Sequence, residues 1–504
     1  MGILSGMTRP FRPFDYAAGL QQTISDLLPA AHPARQLVAF LETVDLAPLY
    51  RLYLPAGAPP IDPRLLLGLW LYGYMTGQVS SRQLERATSE QVPCVYLAAG
   101  THPDHSTLAE FRTLVFAFLP DLFAQLLTQA QADGHLTMAA VSHDGTKVHA
   151  DASKHQAVSY QRAGELIHEL QEQIEDLLHR AQHAPASLPA DMTLAEEIAT
   201  RRARIARLQE ARAVLEARAD ERYAAELAAH EERLAARAER ERVTGKQPRG
   251  KPPAPPTPGA KPTDQYNFTD PDSRIMKNSA NSGFDQHYNG QVTVEHASRL
   301  IVGCHVAPQA SDRPLAAPTF DTIPATLGTP QAACLDSGFW SPTTAEELAQ
   351  RGITPYIATG KTTHGLTWHR YYRTTPDAPP PATDASPKAH MAYRLQTAAG
   401  QALYRLRKST VEPVIGILKE VLGFRQFSVR GLANVQGEWQ LLCLAYNLKR
   451  LFTLRAAATT PTARGVACPP CRSRRPASPL AAPASSRAIV WFLKRTHCSL
   501  PTGC

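Results

Sequence analysis

From Met192 to Val243 the chain contains neither glycine nor proline and is built mostly of Glu, Arg, Ala and Leu. Only an α-helix suits so long a run, because these residues lose little side-chain freedom in a helix and nothing in the run breaks one. A helix of that length outgrows a compact domain and must find its own partner. Leu194, Ile198, Ile205, Leu208 and Leu215 recur in alternating three- and four-residue steps, with Arg201 and Arg212 at the skipped seam positions. That spacing predicts a narrow apolar seam against a second helix. The segment GELIHELQEQIEDLLHRAQ, set off by Pro185 and Pro189, supplies the partner. An antiparallel helical hairpin or coiled coil over residues 156–244 is the simplest arrangement, capped at Thr193-x-x-Glu196 and solvated on its outer face.

This arm interrupts a chain whose flanks read differently. Residues 1–135 read as an all-α N-terminal domain. Asp62-Pro63 opens IDPRLLLGLWLYGYM as a cap and first turn, and Gly77 stops it. Ser80-x-x-Gln83 and Thr107-x-x-Glu110 resemble capping boxes opening two further helices. Arg82, Arg86 and Arg112 lie on these two segments, so a helix-turn-helix DNA reader is one reading and a plain helical bundle the other. Residues 136–155 change to a Val- and Thr-bearing strand, MAAVSHDGTKVHAD. Residues 245–264 hold seven prolines and form a semi-extended tether back to the body. Within 265–452, GQVTVEH, RLIVGCHV, AACLDSGFW and ITPYIA alternate like strands, with PTTAEELAQ as a helix between the last two. After a loop-rich insert, 362–403, TVEPVIGILKEVLGF and EWQLLCLAYNLKRLF read as helices. The fold class is therefore α/β, a mixed sheet flanked by helices, with the tail 453–504 poorly ordered.

Composition limits the function classes. At 504 residues with 43% hydrophobic and 19% charged content, the chain has material for several packed domains. The net charge is +8, and eight basic residues with no acid from Arg455 onward account for all of it. A nucleic-acid surface in the body must come from local segregation of charge. No apolar run approaches the roughly 20 residues of a membrane span, and Met1 to Tyr16 lacks an export signal, so a cytoplasmic location and reduced cysteines are expected. Cys468-x-x-Cys471 with Cys498 and Cys504 has poor spacing for zinc and is read as part of an irregular tail.

Three carboxylates stand at the ends of predicted elements: Asp144 on the first strand, Asp336 after AACL, and Glu412 opening a helix. Singly, each has a structural explanation as a turn or cap. Jointly, acids on adjacent strands plus one on a helix packed against them could converge on hard divalent cations, which take oxygen ligands. There is no P-loop, G-x-S-x-G or H-E-x-x-H to compete.

HDGTKVHADASK, LDSGFWSP and YRLRKSTVEPVIGILKEVLGFRQFSVRG resemble, in order, the three acidic motifs of bacterial insertion-sequence transposases of the DDE superfamily. PRLLLGLWLYGYMTGQVSSRQLE with PDHSTLAEFR is similar to their helical N-terminal domain, and TDPDSRIMK with FDQHYNGQVTVEH to their second-strand region. The resemblance spans about residues 35–452 and implies an RNase H-like catalytic domain. It implies Asp144, Asp336 and Glu412 as catalytic residues binding two Mg²⁺ or Mn²⁺ ions, which cleave transposon ends and join them to target DNA. Glu412 and Lys419 keep the family's E-x6-K spacing, whereas Lys408 takes its arginine position and Tyr404 lies one residue early. Tyr404 to Arg430 carries a net charge of +4, so Arg405, Arg407, Lys408, Lys419 and Arg425 form an expected DNA patch beside Arg82, Arg86 and Arg112. Trp368 sits where similar proteins can stack an aromatic on a flipped base, although packing its own small subdomain is the commoner role for such an aromatic. The insert of some relatives carries cysteines; here Thr362 to Leu403 has none. Implied partners are inverted-repeat and target DNA and further copies of the chain in a dimer or higher multimer, with no membrane. The alternatives are a catalytically inactive, domesticated DNA-binding protein and a coiled-coil scaffold.

Overall fold

The computed structural model describes residues 27–53, 60–183, 193–245, 247, 250–278, 283–360 and 379–459. Among the described residues seven helices come first: α1 Pro33–Thr43, α2 Ala47–Tyr50, α3 Pro63–Thr76, α4 Ser81–Glu90, α5 Val92–Leu97, α6 His105–Val115 and α7 Leu119–Ala132. Helix α3 begins and ends as its sequence dictates: the Asp62 carboxylate accepts from the Arg64 amide, and Gly77 closes the helix at φ +80°. Two other caps differ. Ser80 stands at the cap position of α4 without a side-chain bond, and the third helix starts at His105, where Asp104 accepts from the Thr107 amide. Aspartate binds those amides as well as threonine would, and it sits one turn nearer the preceding loop.

The sheet comprises β1 Ala140–His149, β4 Arg274–Lys277, β5 Phe284–Glu295, β6 Ile301–Ala307, β7 Ala332–Leu335 and β8 Thr354–Ile357. Strand β5 pairs antiparallel with β1 on one side and with β4 and then β6 on the other; β7 and β8 continue the sheet parallel to β1. Helix α10, Ala316–Phe320, follows β6, and α11, Pro342–Gln350, makes the crossover from β7 to β8. Part of the loop-rich insert is helical: α12 spans Pro387–Gln396 and α13 Ala398–Arg405, each capped by a hydroxyl, from Ser386 and Thr397.

Helix α14, Arg407–Gly416, begins five residues before Glu412, which corrects the expectation that Glu412 opens it. Past Gly416 the chain winds as a π-helix over Ile417–Val421, and α15 runs from Leu432 to Thr459. The sheet has helices on both faces. Thr410 of α14 bonds Ser142, and Trp439 of α15 lies so close to Gly290 that a Cβ there would come within 2.8 Å of the indole. On the opposite face Phe320 of α10 packs against His143 at 5.5 Å. The free edge of β6 is covered by side chains: Asn447 bonds both backbone groups of Ile301, at 2.8 and 2.7 Å, and Gln436 accepts from the Val306 amide at 2.6 Å. An otherwise open edge is thereby closed.

The arm is an antiparallel pair of helices, α8 Tyr160–His183 and α9 Leu194–Thr244. Leu170 and Ile174 pack with Ile205, Leu208, Ala211 and Leu215. Ala211 fills the seam where the heptad places Arg212, whose guanidinium instead lies 4.4 Å from the Tyr160 ring. Thr193 precedes α9 without a capping side-chain bond. The tether returns along α9, held by Arg222 to Asp264 at 3.0 Å and by Arg237 to the Gly250 carbonyl at 2.7 Å. A two-stranded antiparallel clasp, β2 Ala157–Ser159 with β3 Gln265–Asn267, closes the neck.

The N-terminal helices and the sheet share one hydrophobic core that runs from Leu28 to Phe452 and includes Trp70, Tyr74, Phe424 and Trp439. No single described helix is long and apolar enough to cross a membrane.

Candidate active site

Parallel pairing sets the first two carboxylates. Ser142 of β1 faces Cys334 of β7, so two residues further on Asp144 and Asp336 fall at matched positions on one face of the sheet. Asp144 lies within β1, not in a turn, and its carboxylate accepts from the Gly145 amide at 3.0 Å. Asp336 is the first residue beyond β7 and caps the short turn Ser337–Phe339, accepting from the Gly338 amide at 2.7 Å. Helix α14 lies over β1, with the Thr410 hydroxyl 3.1 Å from that of Ser142.

From that helix Arg407 reaches two of the three acids, Asp144 and Glu412. Its Nη2 is 2.7 Å from Asp144 Oδ2 and its Nη1 3.4 Å from Glu412 Oε1. The side chain is only 10% exposed, and its Nε is buried without a partner. Burial pushes the Asp144 carboxyl up to about 6; Asp336 and Asp312 add to that rise, while Arg407 and the Gly145 amide oppose it. The expectation of three converging acids is therefore met only in part. Asp144 and Asp336 are aligned by register and Asp144 and Glu412 are joined through a guanidinium. Among the described residues no three of His, Cys, Asp and Glu gather as a metal could require.

Asp312 was not among the residues singled out from the sequence. Its Oδ1 accepts from Asn289 at 2.7 Å and from Gln291 at 3.1 Å, beside Gly145. The readable signal was on β5, where Asn289, Gln291 and Thr293 alternate as polar residues in a strand that is buried throughout its second half. Buried amides need partners. On the same face His143 is fully buried, its Nδ1 3.0 Å from the Thr293 hydroxyl. Burial, and then the Arg407 charge, lower its pKa to about 3.

The expected cations fall into three groups. Lys419 is half-buried and donates to the Lys147 carbonyl at 2.7 Å, and burial lowers its pKa. Lys419 itself sits within the π-helix Ile417–Val421, so Glu412 and Lys419 are not joined by one regular α-helix. Arg82 and Arg86, one turn apart on α4, are exposed, as are Lys408, Arg405 and Arg425; Arg425 pairs with Glu420. Arg112 is spent inside the protein. It donates to the Val79 carbonyl and the Ser428 hydroxyl, lies 3.7 Å from the buried Glu438 and stacks 4.7 Å from the Trp70 ring. It is a clamp between the N-terminal helices and α15. Trp368 and the tail cysteines lie outside the described residues.

Two family matches bear on this geometry. Residues 22–114 match a transposase domain, DUF772, and residues 382–452 match a transposase DDE domain, the stretch that carries Arg407, Glu412 and Lys419. Together the two matches support an insertion-sequence DDE transposase. The DDE-domain match takes in α14 and most of α15, while Asp144 and Asp336 lie outside both matched stretches. No curated protein and no solved structure matches the chain.

Proposed function

We propose that the protein is an active DDE transposase: it binds the terminal inverted repeats of its own element, hydrolyses the ends and joins the 3′-hydroxyls to target DNA. The observation that carries this reading is the parallel ladder of β1 and β7, which runs to Ser142 with Cys334 and brings each chain to its aspartate two residues later, with Glu412 tied to Asp144 through Arg407. Within the six-stranded sheet the run β6-β5-β1-β7-β8, three antiparallel strands continued by two parallel ones, is the arrangement expected of an RNase H-like domain. An oxygen-only donor set fits hard cations, and a buried Asp144 crowded by Asp336 and Asp312 is a site that added positive charge relieves. Asp144, Asp336 and Glu412 would hold Mg²⁺ or Mn²⁺, two ions in the reading favoured here. When bound, such ions supply activation of the attacking hydroxyl and stabilisation of the leaving oxygen.

The chain's own contribution is positional. The pairing of β1 with β7 fixes the two aspartates, and α14 delivers Glu412 from above. Lys419, anchored on the β1 backbone, and exposed Arg405, Lys408 and Arg425 offer phosphate contacts beside them, while Arg82 and Arg86 face the DNA ends from α4. Trp368 is assigned to base stacking, the α8–α9 arm to pairing of copies as a coiled coil, and the protein to the cytoplasm.

Asp144→Asn, Asp336→Asn and Glu412→Gln should each abolish cleavage of end-bearing duplexes while leaving retention of those duplexes intact. Undiminished cutting by any of the three would remove it from the site. One observation favours a second reading, a DNA-binding protein without catalysis: no described trio of ligands converges. A strand-transfer assay with Mn²⁺ and the wild-type chain separates the two.

A further inference from the structure

We propose that Arg407 is the resident counter-cation of the carboxylate site, and that a divalent cation binds there only by displacing it. The inference rests on the assignment of Asp144 and Glu412 as metal-binding residues. Its own ground is the single guanidinium shared between them. The Asp144 side chain is only 21% exposed, and a charged carboxylate taken that far out of water is stabilised by a neighbouring cation; Glu412, 48% exposed, adds a second negative group to the same guanidinium. In this fold the cation comes from five residues before Glu412 on the same helix.

The quality of the bonds says how Arg407 is held. The 2.7 Å contact with Asp144 is a strong charge-assisted bond, whereas the 3.4 Å contact with Glu412 is at the long limit. Residues five apart on an α-helix do not share a face, so Arg407 reaches Glu412 only by bending across. Nothing holds Nε. Arg112 makes the contrast, its guanidinium bonded to a carbonyl and a hydroxyl from two different segments and stacked on Trp70. Arg407 is thus bound through the oxygens that a metal would take, and its Glu412 end is the weaker. The guanidinium stands between Asp144 and Glu412, where a shared cation would have to sit.

The test is Mn²⁺ binding by titration calorimetry on the full-length chain without DNA, at neutral pH. Arg407→Gln should bind Mn²⁺ about tenfold more tightly than wild type, the value expected when one charge-assisted hydrogen bond no longer has to be given up. Its thermal unfolding midpoint should fall in the absence of metal and recover when Mn²⁺ is added. A folded Arg407→Gln whose affinity equals or falls below that of wild type overturns the proposal. Should Arg407→Gln not fold, Arg407→Lys decides: one ammonium cannot span both acids, so tighter binding than wild type supports displacement, and unchanged binding overturns it. If neither wild type nor variant binds Mn²⁺, the carboxylate assignment falls as well. If wild type binds and the variant gains nothing, this inference alone fails.

Discussion

Gly145 lies next to Asp144 in the middle of β1, and the absence of a side chain there is what lets Gln291 and Asp312 close on the strand. A Cβ would stand 2.3 Å from Gln291 Nε2 and 2.7 Å from Asp312 Oδ1. Gly145→Ala should therefore destabilise the protein by about 1–3 kcal/mol, read as a lowered denaturant midpoint at constant slope. The same side of that strand makes a second prediction. His143 is neutral in the fold, with a pKa lowered from 6.5 to about 3, so below pH 6.5 the unfolded chain takes up a proton that the folded one refuses. Its contribution is complete above that pH and is lost as pH falls towards 3, by roughly 3 kcal/mol at about pH 4. His143→Gln should flatten that part of the stability curve in parallel urea titrations; an unchanged acid limb would refute it. These residues also show why the site was only partly legible. Asp144, Asp336 and Glu412 stand out by chemical type and motif, but Asp312 matters through Asn289 and Gln291, more than twenty residues away, and Arg407 chiefly through Asp144 on the first strand.

At the scale of elements, local chemistry was read well where it acts within one turn. Asp62 and Gly77 bound α3 as their side chains require, and the uninterrupted run to Val243 does become one helix ending at a left-handed Gly245 with φ +62°. Elements that owe their existence to tertiary pairing were missed. The short strands β2, β3 and β4 have too few residues for a period to show, and they form because β5 and the arm's neck present them with partners. The start of α14 was placed too late because Glu412-Pro413 looks like a first turn. Proline inside the helix is accommodated there, with the chain loosening into a π-helix four residues later.

For the whole molecule, the border near residue 135 is a change of composition, not a gap in packing. Tyr74 of α3 donates to the buried Glu438 of α15 at 2.7 Å, and Glu438 also accepts from the Ser428 amide at 2.8 Å, so the two ends of the chain meet in one polar knot inside a common core. The N-terminal helices should accordingly not melt as a separate unit: scanning calorimetry of the chain lacking the arm is expected to give one cooperative transition for residues 27–159 and 265–459. That deletion is practicable because of the neck. Ser159 and Gln265 are direct neighbours across the β2–β3 clasp, so a few flexible residues would bridge them. Seen this way, the arm is a cassette with its own hinge plate: it can be lengthened, shortened or exchanged without β1, β5 and β7 having to shift, so the arm and the carboxylate-bearing sheet are free to vary independently.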